Sequence, residues 1–244
     1  MERPVYRARR ELFNRMEIPV SKADVRILRW KQRFRLVAWE GMLRSLLVFK
    51  RLLDVVVSMV ALVLLMPLFV IVALCILAED GFPFIYMQKR VGLNGREFRM
   101  YKFRSMVRNA DAIKPQLLER NEQKQGVTFK MKDDPRVLKA GRFLRRYSID
   151  ELPQFVNVLM GDLSLVGPRP PLPEEVKGYT LAERKRLHVK PGLTCLWQIG
   201  GRSELPFDAQ VGLDMQYIQS QSFFRDIVIM LKTIPAVLFG RGAY

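Results

Sequence analysis

The chain has 244 residues, enough for one ordinary domain with extensions. With 49% hydrophobic residues and a mean hydropathy of +0.00, it is neither a disordered chain nor a polytopic membrane protein. A net charge of +17 calls for acidic partners, whether nucleic acid, anionic headgroups or nucleotide phosphates, and composition does not choose among them.

Residues 1–51 carry 14 Lys and Arg against 5 acids. Within them Ile27, Trp30, Phe34, Val37 and Gly41 recur at helical spacing among basic residues, the pattern of an interfacial amphipathic helix. Val55 to Ala78 follows, 24 uncharged residues interrupted by Pro67. At about 1.5 Å per residue this stretch is long enough to cross a bilayer. The long basic region before it excludes a signal peptide. A straight spanning helix would put one basic flank on each side, against the cytoplasmic preference of Lys and Arg. Pro67 removes a backbone hydrogen bond and crowds the carbonyl of Val63, which favours a kink. Two arms of about twelve residues, roughly 18 Å each, then reach one leaflet and return. The residues leave a spanning helix and a re-entrant one both open. Asp54, beside Lys50 and Arg51, reads as an interfacial ion pair or a helix-terminal charge.

Beyond Gly81-Phe82-Pro83, the stretch FIYMQKRVGLNGREFRMYKFRSM predicts a β-hairpin turned at Asn94-Gly95, with aromatic and basic residues interleaved on both arms. Residues 107–125 are polar and predicted helical, interrupted by Pro115. Asp133-Asp134-Pro135 resembles an acidic metal motif of some glycosyltransferases, but Asp-Pro also opens turns and helices, and that reading is preferred. The sole histidine, His188, lies in a basic run and reads as a solvated surface residue rather than a base. Cys75 and Cys195 are far apart and lack metal-ligand spacing, as expected of a reducing compartment without zinc.

The chemistry concentrates in RFLRRYSIDELPQFVNVLMGDLSLVGPRP, residues 142–170. Ser148 and Glu151 have capping-box spacing, so Asp150 and Glu151 alone read as helix-capping acids, although Pro153 moves the helix start nearer Asp150. At the positive end of a helix the two carboxylates stay ionised while nearby N–H groups receive phosphate. Arg142, Arg145 and Arg146 before the pair, and Arg169 in the proline-stiffened GPRPPLP after it, shift the reading to an anion site, since arginine suits bidentate phosphate recognition. Lys102 in the hairpin, and Gln198 and Arg202 in KPGLTCLWQIGGRSE, complete the candidate substrate contacts. Trp197, in the same segment, is by itself more often a core residue. Near the C-terminus, SFFRDIVIMLKTIPAVLF fits a buried core helix and a membrane-surface helix equally.

Taken together, KRLLD, the proline inside the apolar stretch, QKRVGLNGREFRMYKFRSM, SIDELPQFVNVLMGDLSLVGPRP and PGLT..WQ..GR resemble a bacterial sugar transferase of the monotopic polyprenyl-phosphate hexose-1-phosphate transferase family. The resemblance runs from about Lys50 to the C-terminus. It implies an α+β, mostly helical monotopic membrane protein in three parts: a basic extension over 1–49, a re-entrant helix over 50–80 broken at Pro67, and a cytosolic catalytic domain over 81–244. Such a protein works at the cytoplasmic face of the bacterial inner membrane. By the same resemblance Asp150 is the nucleophile, Glu151 its partner, Mg2+ sits at the pair, and Arg145 binds phosphate. Cys195 and Gly200 depart from the family's usual glycine and serine.

The implied reaction moves a sugar phosphate from a UDP-sugar to undecaprenyl phosphate, releases UMP, passes through a phospho-sugar aspartyl intermediate and primes exopolysaccharide, O-antigen or capsule synthesis. Membrane lipids are expected partners, nucleic acid is not, and a homo-oligomer is admitted. A competing reading is a non-catalytic, membrane-tethered basic protein that binds nucleic acid or acidic lipid. Against it, the basic residues are spread along the whole chain, and no helix-turn-helix or RNA-binding motif occurs. A direct glycosyltransferase built on Asp133-Asp134 would release UDP instead.

Overall fold

A computed structural model describes residues 22–113, 115, 117, 131, 134–200 and 205–238. Contacts cluster into two units, Met1–Phe49 and Lys50–Tyr244. In the first, the rings of Trp30 and Phe34 stack at 5.9 Å on a helical turn, both exposed beside Lys31, Arg33 and Arg35.

Helix α1 spans Lys22–Leu64 and α2 spans Met66–Asp80. The expected basic helix and the first apolar arm are therefore one element, because no glycine or proline lies between Arg44 and Val55 to separate them. The break falls at Leu65, with Pro67 in the first turn of α2. Proline has no N–H to give to the carbonyl of Val63, so the ladder lapses there and resumes with Phe69 N–H to Leu65 O at 2.9 Å. The axes bend by 59°. Among the described residues no single helix is long and apolar enough to cross a membrane; Ser45–Leu64 and Met66–Asp80 meet that length and composition only as a bent pair. Val56, Met59, Val60, Val63, Val70, Ile71 and Leu74 are exposed on them.

The other side of the bent pair is bound to the rest of the fold. Val72 and Ile76 pack with Phe103, Leu138 and Leu144. Asp54 is no interfacial ion pair. It is buried, and its Oδ1 accepts from Leu165 N at 2.9 Å and Ser164 Oγ at 3.1 Å. Lys50 reaches Asp226 at 2.5 Å and Val166 O at 3.0 Å, while Arg51 donates to the carbonyls of Val158 and Leu159 at 2.6 and 2.7 Å.

Strands β1 (Ile85–Val91) and β2 (Glu97–Phe103) form the expected antiparallel hairpin, in register from Ile85 opposite Phe103 to Val91 opposite Glu97. The turn needs positive φ at Asn94 (55°) and Gly95 (80°), which these residue types tolerate. Of the polar 107–125 stretch, α3 covers Ala110–Ile113, and most of the remainder lies outside the described residues. Asp133 lies outside them too. Asp134 is buried against the Arg136 guanidinium at 2.6 Å and opens a turn, so its carboxylate is already engaged. Helix α4 (Lys139–Arg146) starts later than the Asp-Pro pair, after Leu138.

Helix α5 (Gln154–Met160) leads to β3 (Ser164–Val166). Short helices α6 (Pro173–Lys177) and α7 (Leu181–Arg184) precede β4 (Gly192–Thr194), which lies parallel to β3. The backbones meet so closely at Gly167 and Gly192 that a Cβ on Gly192 would lie 2.0 Å from Gly167 N. Helices α8 (Leu196–Gly200), α9 (Phe207–Gln219) and α10 (Phe223–Leu238) follow. Val158, Leu163, Leu165, Val166, Tyr217 and Ile229 form the main core, each such side chain contributing roughly 1.5–3 kcal/mol by burial. Helix α10 packs against the core through Asp226 and Ile229, both buried, whereas Phe224, Val228, Leu231 and Ile234 face outward. The described fold is α+β and mostly helical.

Candidate active site

Chain reversal after α4 places the acidic pair. Ser148 is left-handed (φ 54°, ψ 23°), and its side chain makes no cap, so the capping box does not form. Asp150 and Glu151 instead occupy a single 3-10 turn, Ile149–Glu151, and α5 begins only at Gln154, with Pro153 at its cap, where a missing N–H costs nothing.

The two carboxylates differ in environment. Asp150 is 8% exposed, and burial pushes its pKa up to about 6; Lys102 and Arg145 act against that rise and Glu151 adds to it. Glu151 Oε1 lies 2.7 Å from Lys102 Nζ. Burial works to raise the Glu151 pKa as well, but the charge and hydrogen bond of Lys102, with Arg169 and Arg90, hold it below the ordinary carboxylate range. One acid thus sits close to its protonation point while its neighbour stays ionised.

Both line a cleft of about 710 Å³ together with Lys102, Arg145, Arg169 and Gln198. Six of the seven sequence candidates for substrate handling therefore meet in one place; Arg202 lies outside the described residues. The cleft also has an apolar lining, from Val57 and Leu65 near the helix break, Phe155, and Met230, Ile234 and Val237 of α10. Pro67 acts at one remove, by creating the break that brings Leu65 to the cleft. Thr194 and Thr233, 2.8 Å apart, also line it.

Arg169 stands in the irregular loop before α6, its guanidinium 5.7 Å from the ring centre of the buried Trp197. Gln198 accepts the Cys195 thiol at 3.2 Å. His188 is exposed and does not line the cleft. Sequence reasoning missed Arg90, which is buried beside Glu151 and Arg169. Its only signal was a basic residue at a position that the alternation of the hairpin turns inward.

Among the described residues no group of three or more His, Cys, Asp or Glu can hold a metal ion. Two adjacent carboxylates without further protein ligands do not suit a resident zinc. They do suit Mg2+, which keeps several waters and completes its shell with substrate phosphate oxygens.

A family model described as bacterial sugar transferase matches residues 45–240. The chain is 50% identical over 200 residues to the galactosyl transferase CpsE of Streptococcus agalactiae, covering 82% of this chain and 44% of that protein. It is 41% identical to the exopolysaccharide production protein ExoY of Rhizobium meliloti, covering 80% and 88%. It is also 41% identical to the undecaprenyl-phosphate galactose phosphotransferase of Salmonella typhimurium, covering 82% and 43%. The chain thus spans less than half the length of two of these relatives and most of the third.

Proposed function

The chain belongs to the bacterial sugar transferase family, and on that premise we propose that it moves a sugar phosphate from a UDP-sugar to undecaprenyl phosphate at the cytoplasmic face of the inner membrane, releasing UMP and priming exopolysaccharide synthesis. The observation that carries this reading is a buried carboxylate, Asp150, in a cleft lined by both cationic and apolar side chains. A sugar nucleotide and a lipid phosphate share one need, anion recognition. Only the lipid has a tail to lay against Leu65 and Ile234.

In the first step an Asp150 oxygen attacks the sugar-bearing phosphorus; a P–O bond forms to the carboxylate as the P–O bond to UMP breaks. In the second, a phosphate oxygen of undecaprenyl phosphate attacks the same phosphorus and the Asp150 carboxylate leaves. Arg145 and Arg169 hold phosphoryl oxygens in line, and Lys102 keeps Glu151 ionised and in place. Asp150 and Glu151 would hold Mg2+ against the diphosphate, where the ion supplies charge neutralisation for the leaving nucleotide. Ordering the steps through one carboxylate lets a substrate from water and one from the bilayer use the cleft in turn. The exposed apolar residues of the bent helix pair, and of α10, are suited to one leaflet with both basic flanks on the cytoplasmic side.

Incubating the protein with a [β-32P]UDP-sugar and no lipid tests the chemistry. Label on the protein with matching UMP release is expected in the wild type and none in Asp150→Asn. Release of UDP, or full labelling of the variant, overturns the reading.

A further inference from the structure

Arg90 is a buried cation whose direct partners are all neutral. It is 4% exposed in β1; Nε and Nη2 donate to Gln88 Oε1 at 3.1 and 2.7 Å, and Nη1 donates to Pro170 O at 3.0 Å. Among the described residues no carboxylate lies at ion-pair distance from it. A buried guanidinium in that position is unfavourable for folding alone, where a neutral donor would serve. Burial, with Arg169 as the next cause, lowers its pKa to about 10.

What Arg90 grips is the carbonyl next to Arg169. The loop Gly167–Pro173 contains four prolines and cannot fold on its own hydrogen bonds. It is tethered from outside: Gly192 N–H to Pro168 O at 2.9 Å, Val91 N–H to Pro171 O at 2.9 Å, Leu172 N–H to Glu175 Oε2 at 2.9 Å, and the Arg90 side chain to Pro170. A small cavity between hairpin and loop is lined by Arg90, Lys102, Glu151, Gln154, Arg169 and Gln198. Arg90 and Arg169 repel each other there, and an anion relieves the repulsion.

We propose that Arg90 is the positioning residue for Arg169: by bridging Gln88 and Pro170 it docks the proline loop so that the Arg169 guanidinium is preset for a phosphate of the nucleotide donor. This rests on the donor assigned above. A planar fork spans both acceptors at once; a lysine ammonium replaces the charge but not the bridge.

The test uses the full chain in lipid nanodiscs, with Arg90→Gln, Arg90→Lys, Arg169→Gln and the Arg90→Gln/Arg169→Gln double variant. Amide exchange at Val91 and Leu172 is read without substrate, with α5 amides as the folding control, and KM and kcat for UMP release are read separately. Arg90→Gln speeds exchange at both amides about tenfold and raises donor KM about tenfold, with kcat within about threefold. Lysine does not restore either. Arg169→Gln raises KM without touching exchange, and the double variant is no worse than Arg169→Gln alone. Unchanged exchange in Arg90→Gln, rescue by lysine, or multiplying losses in the double variant overturns the proposal. Exchange that responds in a wild type inert toward every UDP-sugar would sink the donor assignment and leave the docking role standing.

Discussion

Asn157, fully buried six residues beyond Glu151, accepts the backbone N–H of Tyr101 at 2.9 Å and donates to Arg99 O at 2.7 Å. One amide side chain therefore stitches α5 to β2 and sets Lys102 opposite Glu151. Asn157→Leu should leave two hairpin backbone groups without their partner and cost about 1–3 kcal/mol. Thermal unfolding of the detergent-solubilised protein measures the loss. Loss of turnover is expected before loss of fold.

Asp150 works against stability. Folding lifts its pKa from 3.8 to about 6, so the unfolded chain gives up this proton more readily than the folded one. Ionisation therefore opposes folding fully above about pH 6, and the penalty fades as pH falls toward 3.8. Asp150→Asn should be inactive yet about 1–3 kcal/mol more stable at neutral pH, and no more stable near pH 4. Urea denaturation at both pH values decides it.

On the proposed mechanism the same carboxyl sets the acid limb of the reaction. If Asp150 is the proposed nucleophile, only its ionised form can attack, and protein labelling by the donor should halve near pH 6 and fall about tenfold per unit below. Lys102→Met removes a cation that holds this pKa down, and the limb should move to higher pH. A limb that stays in place would mean that Asp150 does not feel Lys102.

Pro67→Leu restores an N–H for the carbonyl of Val63 and should straighten the 59° bend by extending the ladder through Leu65. If the bent pair dips into one leaflet, a cysteine placed at Gly41 in the variant becomes reactive to an impermeant maleimide from the periplasmic side, while in the parent it stays protected. Equal labelling in both would dismiss the re-entrant arrangement.

What the sequence disclosed was local or strongly chemical. Asn94-Gly95 announced its turn because few residues accept positive φ, and Pro67 its break because proline removes a donor wherever it stands. The cleft residues were legible because arginines and adjacent acids have few joint uses other than an anion. Asp54, Lys50 and Arg51 misled, since charges at the end of an apolar helix look like headgroup contacts until Ser164, Asp226 and the α5 carbonyls arrive from more than a hundred residues away. Arg90 stayed hidden for the same reason: its acceptor at Pro170 is 80 residues distant. The Ser148–Glu151 spacing promised a capping box, and Pro153 displaced the helix that it would have capped.

The lock formed by Lys50, Arg51 and Asp54 bears on how this protein can be handled. Trimming the chain at Asp80 would strip Asp226 of its ammonium and the end of α5 of its guanidinium cap, and would orphan the Leu165 amide. A fragment cut free of the bent helix pair would lose all of these contacts. Polar substitutions belong on the outward side of that pair, at exposed positions such as Val56, Val60 and Ile71, with its root left untouched.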